Sequence, residues 1–594
     1  MRHHGISRLA LFAVLLVAPL SGCRDQPAAP TATPSTAAAI TPPQPQSPIL
    51  PGAFVDVTDG SGIDARYRNG EEANHYSILE SLGGGIGLID YDRDGLLDVF
   101  VTGGGHFSGP KKRDIQGFAS RLYKNLGDWK FRDVTAELGL DQPLFYTHGC
   151  AIGDYDRDGW PDLLVTGYGR LVLYRNEGGK RFVDVTEAMG LAAAKPDLHW
   201  STAAAFADLT GDGRLDLFVA HYVDWSFANH RPCRGYGPGE PIDVCPPNDF
   251  EPLLPQLFVN DGSTFRAAGP EAGLKPGKAL GVLAIDLNAD GKLDLYVAND
   301  AVANHCYLNQ GDGRFVEQGT ELGVAYSETG EPDGSMGVDA ASLGGEDRFS
   351  IFVTNYHRQS HALYLNRGEG VFSHESTSTG IRAIGQSYVG WGAGFMDYDR
   401  DGDEDLVVAH GHVIRHPPPP QTLAQRPVLL ENVTESQAGR ERVEYQNRTI
   451  AAGAYFQSPH RGRGVALGDL DNDGRIDLVI SHIDEQVTLL KNVTENGNHW
   501  LGIELVGADN RDPIGAVLTL EVDGRKLVRA IKGGGSYLSA SDRRVVFGLG
   551  TSTSVSRLTV RWPLGGTQSW GGESLGIDKY VRLVEGNDAT KTTD

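Results

Sequence analysis

Small, apolar runs such as GGGIGLI, GCAIG, AAAFA and GAGFM recur along the chain, each followed by an acidic turn and then by a β-rich run: DVFVT, DLLVT, DLFVA, DLYVA, DLVVA or DLVIS. That pattern predicts strand, tight loop, strand. A second element interleaves with the first. LYKN, LYRN, LFVN, CYLN and LYLN lead, after a short turn, into Phe-headed runs such as FRDVTAELGL (131–140), FVDVTEAMGL (182–191), FRAAGPEAGL (265–274) and FVEQGTELGV (315–324). Each repeat therefore offers four short strands, and repeats of this size predict a propeller or an array. The Phe-headed strand first occurs at 54–63, ahead of any acidic turn, and the last acidic turn, at 469, is followed by VTLLKN and no Phe-headed run. The first copy can thus complete the last sheet, closing a seven-bladed all-β propeller with no free edge. An open array of β-sandwiches would leave both end copies unpaired.

The acidic turns share a nine-residue pattern, Asp-x-[Asp/Asn/Thr]-x-Asp-Gly-x-x-Asp, in six copies. Its candidate ligands are Asp90, Asp92, Asp94 and Asp98; Asp154, Asp156, Asp158 and Asp162; and Asp208, Thr210, Asp212 and Asp216. The later copies offer Asp286, Asn288, Asp290 and Asp294; Asp397, Asp399, Asp401 and Asp405; and Asp469, Asp471, Asp473 and Asp477. Alternate carboxylates at positions 1, 3 and 5 point to one side, Gly at position 6 permits a sharp turn, and Asp at position 9 closes the cage from the next strand. Such hard-oxygen sets fit Ca²⁺, about six sites in all. An isolated Asp/Gly turn needs no metal, but gathering several carboxylates without a cation is costly through like-charge repulsion. A seventh, decayed copy reads as starting at Asp339, lacks ligands at Ala341 and Leu343, and is expected to be metal-free.

Charge narrows the partners. The 594 residues carry 77 acidic and 53 basic side chains, a net charge of −24, which opposes nucleic-acid binding and suits cation uptake. The chain has 77 glycines with no Gly-X-Y period, consistent with many tight turns. At the N-terminus, Arg2, His3, His4 and Arg8 precede an apolar run from Leu9 to Leu20 that is short for a membrane span. Leu20-Ser21-Gly22-Cys23 then resembles the lipobox of bacterial lipoproteins, which implies a signal peptide over 1–22 and lipidation of Cys23. Arg24 follows where an inner-membrane retention signal would place Asp, so the expected location is the cell envelope, on the outer membrane. Residues 23–50, rich in Pro, Ala and Thr, read as a tether. Cys233 and Cys245, in one Pro/Gly-rich insertion, are expected to pair; Cys150 and Cys306 are left unassigned.

The small-residue strand plus acidic loop resembles the FG-GAP/VCBS repeat of integrin α-subunit propellers, here over 51–496. The last hundred residues differ in character. NRDPIGA, GGGSYLS, FGLG and WPLGG, within 497–594, resemble the ASPIC/UnbV domain, and their alternation predicts a small all-β unit. Propeller and domain in this order are similar to bacterial relatives of the cartilage acidic protein family, which implies calcium and an extracellular or envelope setting, without an established reaction. No nucleophile elbow, P-loop or HExxH occurs.

Positions that recur in every repeat point to a second site. Five residues past position 9 stand Gly103, Gly167, His221, Asn299, Asn355, His410 and His482; six before position 1 stand Gly84, His148, Thr202, Leu280, Asp333, Trp391 and Arg463. Equivalent positions in a ring converge, so the face opposite the acidic loops is expected to present His148, His221, Asn299, Asn355, Trp391, His410, Arg463 and His482 to a ligand. The leading expectation is a non-catalytic binding scaffold for a protein or glycan, attached to the membrane only by its lipid. The alternative is an envelope enzyme or accessory protein acting on polysaccharide or a secreted metabolite at that His-lined face.

Overall fold

Among the described residues, seven antiparallel four-stranded sheets follow one another between Phe54 and Asn492, and the chain is an all-β propeller. The computed structural model describes residues 52–587 apart from 144, 193–199, 236–238, 240, 369 and 438–439. The signal peptide, Cys23 and the tether expected from the sequence lie outside the described residues.

The innermost strands are Ile86–Ile89, Thr147–Gly153, Ser201–Ala207, Ala279–Ile285, Ser335–Ala341, Gly390–Met396 and Gly462–Gly468. Each contacts its two neighbours in turn, and the last contacts the first, so the ring is closed. These strands are buried almost throughout. That explains their small, apolar composition: with both faces covered, alternation gives way to a continuous apolar run. Ring closure is the strand exchange read from the sequence. Phe54–Asp56 pairs antiparallel with Thr488–Asn492, Phe54 opposite Asn492, and completes the seventh sheet.

The fifth sheet corrects one alignment. In the other six, the inner strand's last residue pairs with position 9: Ile89 with Asp98, Gly153 with Asp162, Met396 with Asp405. In the fifth, Ala341 pairs with Ser350. Its decayed turn therefore runs from Ser342 to Ser350, and Asp339 belongs to the strand. The inward position six residues earlier is Met336, not Asp333. A carboxylate three residues early imitated the start of the pattern.

The C-terminal region forms a three-stranded sheet (Val545–Gly550, His499–Val506, Tyr580–Val584) and a four-stranded sheet (Arg525–Ala530, Val517–Val522, Arg557–Arg561, Thr567–Gly571). Between them the chain leaves its own sheets and runs down the propeller axis. Gly533–Gly534 pairs with Leu283 and Ala284, Val338 N–H donates to Ser536 O at 3.0 Å, Cys150 N–H to Leu538 O at 3.1 Å and Leu88 N–H to Ala540 O at 2.9 Å. Ser536 Oγ donates to Val465 O at 2.8 Å, and the Tyr537 ring lies edge-on to Trp391 with centroids 4.7 Å apart. Gly533 packs against Phe206, so all seven inner strands are touched. A methyl group at Gly85 would sit 2.2 Å from Leu538 O, which is why glycine stands just before the strand Ile86–Ile89. The segment 532–543 is an axial plug supplied by the C-terminal region.

Candidate functional site

Each acidic turn is built by its own carboxylates. At position 1, Asp90, Asp154, Asp208, Asp286, Asp397 and Asp469 each accept the N–H of the position-6 glycine through Oδ2, at 2.7–3.1 Å. Those glycines have φ between 80° and 99°, a conformation that costs side-chain-bearing residues strain. At position 9, Asp98, Asp162, Asp216, Asp294, Asp405 and Asp477 are the first residues of the second strands. Oδ2 of each accepts the N–H after position 1, as Leu287 to Asp294 at 2.9 Å. Oδ1 accepts the N–H of an asparagine at or near the end of the third strand, as Asn309 to Asp294 at 2.9 Å.

The loop carboxylates crowd one another, and basic side chains pair with some of them, as Lys124 with Asp94 at 2.8 Å and Lys491 with Asp471 at 2.5 Å. Burial pushes the Asp98 carboxyl up to about 8 and those of Asp216 and Asp294 up to about 7, with neighbouring loop carboxylates adding to the rise. Ligand oxygens of Asp90, Asp92 and Asp94 lie within 4.8 Å of one another, as do those of Asp154, Asp156 and Asp162 and of Asp397, Asp399 and Asp405. Asp92 Oδ1, Asp154 Oδ1, Thr210 Oγ1 and Asp471 Oδ1 are buried with no hydrogen-bond partner among the described residues. A hard-oxygen donor set with orphaned oxygens fits Ca²⁺. In the fifth sheet, serines replace the aspartates at positions 1 and 9, and Ser350 Oγ takes the Asn366 N–H at 3.1 Å. Asp339 nearby is met by Lys532 Nζ from the plug.

The third-strand asparagines have a role that their recurrence in LYKN-type runs signalled but did not explain. Asn125 Nδ2 donates to Leu470 O at 2.9 Å, Asn176 to Tyr91 O at 2.8 Å, Asn260 to Tyr155 O at 2.9 Å and Asn309 to Leu209 O at 3.0 Å. Each acceptor is the residue after position 1 in the preceding sheet. One asparagine thereby fastens its own loop to the neighbouring one, and Asn366 Nδ2 to Leu287 O at 3.0 Å and Asn492 Nδ2 to Tyr398 O at 2.7 Å repeat the link.

The C-terminal region lies across these turns. Arg529 pairs with Glu404 at 2.6 Å and donates to Gly402 O at 3.1 Å. Arg525 donates to Asp401 O at 2.9 Å and Arg544 to Asp469 O at 2.8 Å. Arg561 pairs with Asp286 at 3.4 Å and with Asp347 at 3.0 Å. Basic side chains are thus set against the acidic end of the propeller.

At the opposite end the expected ring is present but covered. His148, His221, Asn299, Asn355, Trp391, His410, Arg463 and His482 are all buried, none more than 2% exposed. His148 Nε2 accepts the Trp200 indole N–H at 2.8 Å and its Nδ1 faces Tyr67 Oη at 3.3 Å. Trp391 Nε1 donates to Gly411 O at 2.7 Å, with the Arg463 guanidinium 4.1 Å above its ring. Asn299 Nδ2 donates to Ala303 O at 2.8 Å and Asn355 Nδ2 to Ser360 O at 2.6 Å. His410 Nδ1 donates to Arg426 O at 2.8 Å, and His221 Nε2 lies 3.2 Å from Gln256 Oε1. The reading of these side chains as an open ligand face is corrected on physical grounds: all are buried, and segments 66–82 and 411–427 cross this end and meet His148, Trp391, His410 and Arg463. Arg463 Nη2 reaches Ser81 O at 3.3 Å, and Arg415 pairs with Glu80 at 2.5 Å. Cys233 and Cys245 are disulfide-bonded in the adjoining insertion, while Cys150 and Cys306 are free and buried.

Those histidines set an acid limit. Burial pushes His148 and His412 down to about 3 and His410 and His482 to about 4. Unfolded histidine titrates near 6.5, so between that value and 4 the unfolded chain binds the extra protons and stability falls as pH falls. Each buried histidine costs on the order of 2 kcal/mol at pH 5. With calcium saturating, the melting temperature should drop steeply from pH 7 to 5, less steeply in His410→Asn; a flat profile would contradict buried neutral histidines.

Comparison with known proteins agrees with the repeat and C-terminal patterns. The family described as ASPIC and UnbV matches residues 507–590. That described as FG-GAP-like repeat matches 90–165, 154–219 and 286–353. Cartilage acidic protein 1 of Homo sapiens is 24% identical over 498 residues, 71% of this chain and 70% of that protein. Its Xenopus tropicalis counterpart is 25% identical over 499 residues, 71% of each. Among solved structures, an Agrocybe aegerita lectin described as recognising non-reducing terminal N-acetylglucosamine gives a TM-score of 0.36 at 15% identity, over 68% of this chain and 87% of the lectin. YCF48 bound to D1 peptide gives 0.37 at 9% identity, over 75% and 99%.

Proposed function

We propose that this chain of FG-GAP-like repeats and an ASPIC/UnbV region is a calcium-stabilised, lipid-anchored envelope protein whose propeller is a non-catalytic scaffold for a protein or glycan ligand. What supports a binding role is the commitment of the rest of the molecule to structure: the C-terminal region occupies the acidic end, and its plug fills the axis. The far end is left, where insertions that differ from sheet to sheet meet. Loops held by a rigid frame are where recognition is usually placed. Here they knit an aromatic and cationic cluster in which His75, Tyr76 and Phe227 are partly exposed: His75 lies 5.0 Å from Phe227 and from the buried Phe107, the Arg113 guanidinium 5.5 Å from the Phe227 ring, and Arg415 4.5 Å from that of Tyr76. Aromatic rings beside hydrogen-bond donors suit sugar rings or peptide side chains. No helix of the described residues is long and apolar enough to cross a membrane, and the proposed attachment is through Cys23.

The test is a glycan array and an envelope-protein capture with the chain from residue 24 onward, followed by Tyr76→Ala and Phe227→Ala. Each substitution should weaken a captured ligand at least about tenfold. Binding that survives both, or turnover of the bound ligand, would remove this reading.

A further inference from the structure

Beside the far end of the seventh sheet, three metal-capable side chains converge away from the acidic loops. His482 ends the strand Asp477–His482, Glu485 stands in the turn that follows, and His460 precedes the strand Gly462–Gly468. One ligating atom from each lies within 4.8 Å of the others. Donors on a tetrahedral ion with bonds of 2.0–2.1 Å are ~3.3 Å apart, so side-chain adjustments alone would close the set.

The hydrogen bonds around the trio fix the His482 tautomer. His482 Nδ1 is 2.9 Å from Gln486 O, a carbonyl that can only accept, so this nitrogen carries the proton and Nε2 presents a lone pair. That lone pair is met by Tyr455 Oη at 2.7 Å. A ligating histidine ordinarily donates its other N–H to a backbone carbonyl or a carboxylate, and His482 is already held in this way. His460 meets the trio through Nδ1, so an ion between it and Glu485 would leave the ring proton on Nε2. Its Nδ1 lies 2.9 Å from Glu485 Oε2, while its Nε2 is buried with no hydrogen-bond partner among the described residues. Glu485 is steadied through Oε1 by the Arg461 N–H at 3.0 Å, and the Tyr455 ring stacks on His460 at 4.2 Å.

We propose that His460, His482 and Glu485 form a binding site for a divalent transition-metal ion of the Zn²⁺ class. Two imidazoles and one carboxylate make a borderline nitrogen–oxygen set, which favours Zn²⁺ over Ca²⁺ and separates this site chemically from the acidic loops. Three protein ligands leave a position open, to which Tyr455 or an oxygen of an outside ligand can bind. His460 and Glu485 are partly exposed, with side-chain exposures of 19% and 39%, so an ion can reach them. The site goes beyond the scaffold reading and does not depend on it.

The test is Zn²⁺ alone, titrated calorimetrically into the chain from residue 24 with excess Ca²⁺ present, and Co²⁺ as a visible-absorption probe. The wild type should bind one Zn²⁺ per chain and give tetrahedral Co²⁺ bands. His460→Ala and Glu485→Gln, both at partly exposed positions, should lower affinity at least about 30-fold and lose those bands, with unchanged melting in calcium. Equal Zn²⁺ affinity in wild type and both variants would overturn the site, as would failure of the wild type to bind.

Discussion

Tyr537→Ala should cost about 3–5 kcal/mol, the usual penalty for emptying a buried aromatic site. The side chain is fully buried at the tip of the plug. Its ring packs on Trp391, and its hydroxyl takes the Gly83 N–H at 3.2 Å. Alanine leaves a hole where the first and sixth inner strands approach the axis, beside a buried arginine, Arg463. Urea unfolding in saturating calcium measures the loss, and a change below about 1 kcal/mol would mean that the plug is an ornament of the fold. Truncation after residue 496 should be worse still. It removes every hydrogen bond made along the axis and the arginines set over the acidic turns.

Chelation should be comparably large. Extracellular calcium loops bind at about 10⁻⁴–10⁻³ M, so six such sites at ~2 mM calcium would contribute on the order of 4–10 kcal/mol together. Calcium content by mass spectrometry should be near six per chain. Ser342→Asp with Ser350→Asp should not create a seventh site, because Gly344 stands at position 3 and offers no ligand. An unfolding midpoint indifferent to chelator would remove the calcium reading. Asp208→Ala, which strips position 1 from one turn, should lower the calcium count by one.

Much of this was legible in the sequence, for identifiable reasons. Repetition exposed the four-strand unit, and the phase of the Phe-headed runs exposed the closing exchange between Phe54–Asp56 and Thr488–Asn492. The acidic turns were legible because their geometry is local: a position-1 carboxylate bonds a glycine five residues on. What failed was non-local. GGGSYLSAS reads as a run of small residues, and nothing within it states that its backbone partners are Leu283, Val338, Cys150 and Leu88. The histidine ring was found at its correct positions, yet its burial depends on Tyr67, Ser81 and Gly411, which arrive from distant loops. The start of the fifth turn was misplaced because strand pairing, not composition, defines it.

The closing strand and the plug also order events in time. Leu489 N–H donates to Thr58 Oγ1 across 431 residues of chain, and the axis is filled by residues translated later still. During N-to-C synthesis the ring can neither shut nor fill its centre until nearly the whole polypeptide has emerged. Contacts so distant in sequence make folding slow. Completion of the fold is thus deferred to the last stretch of the chain to be made.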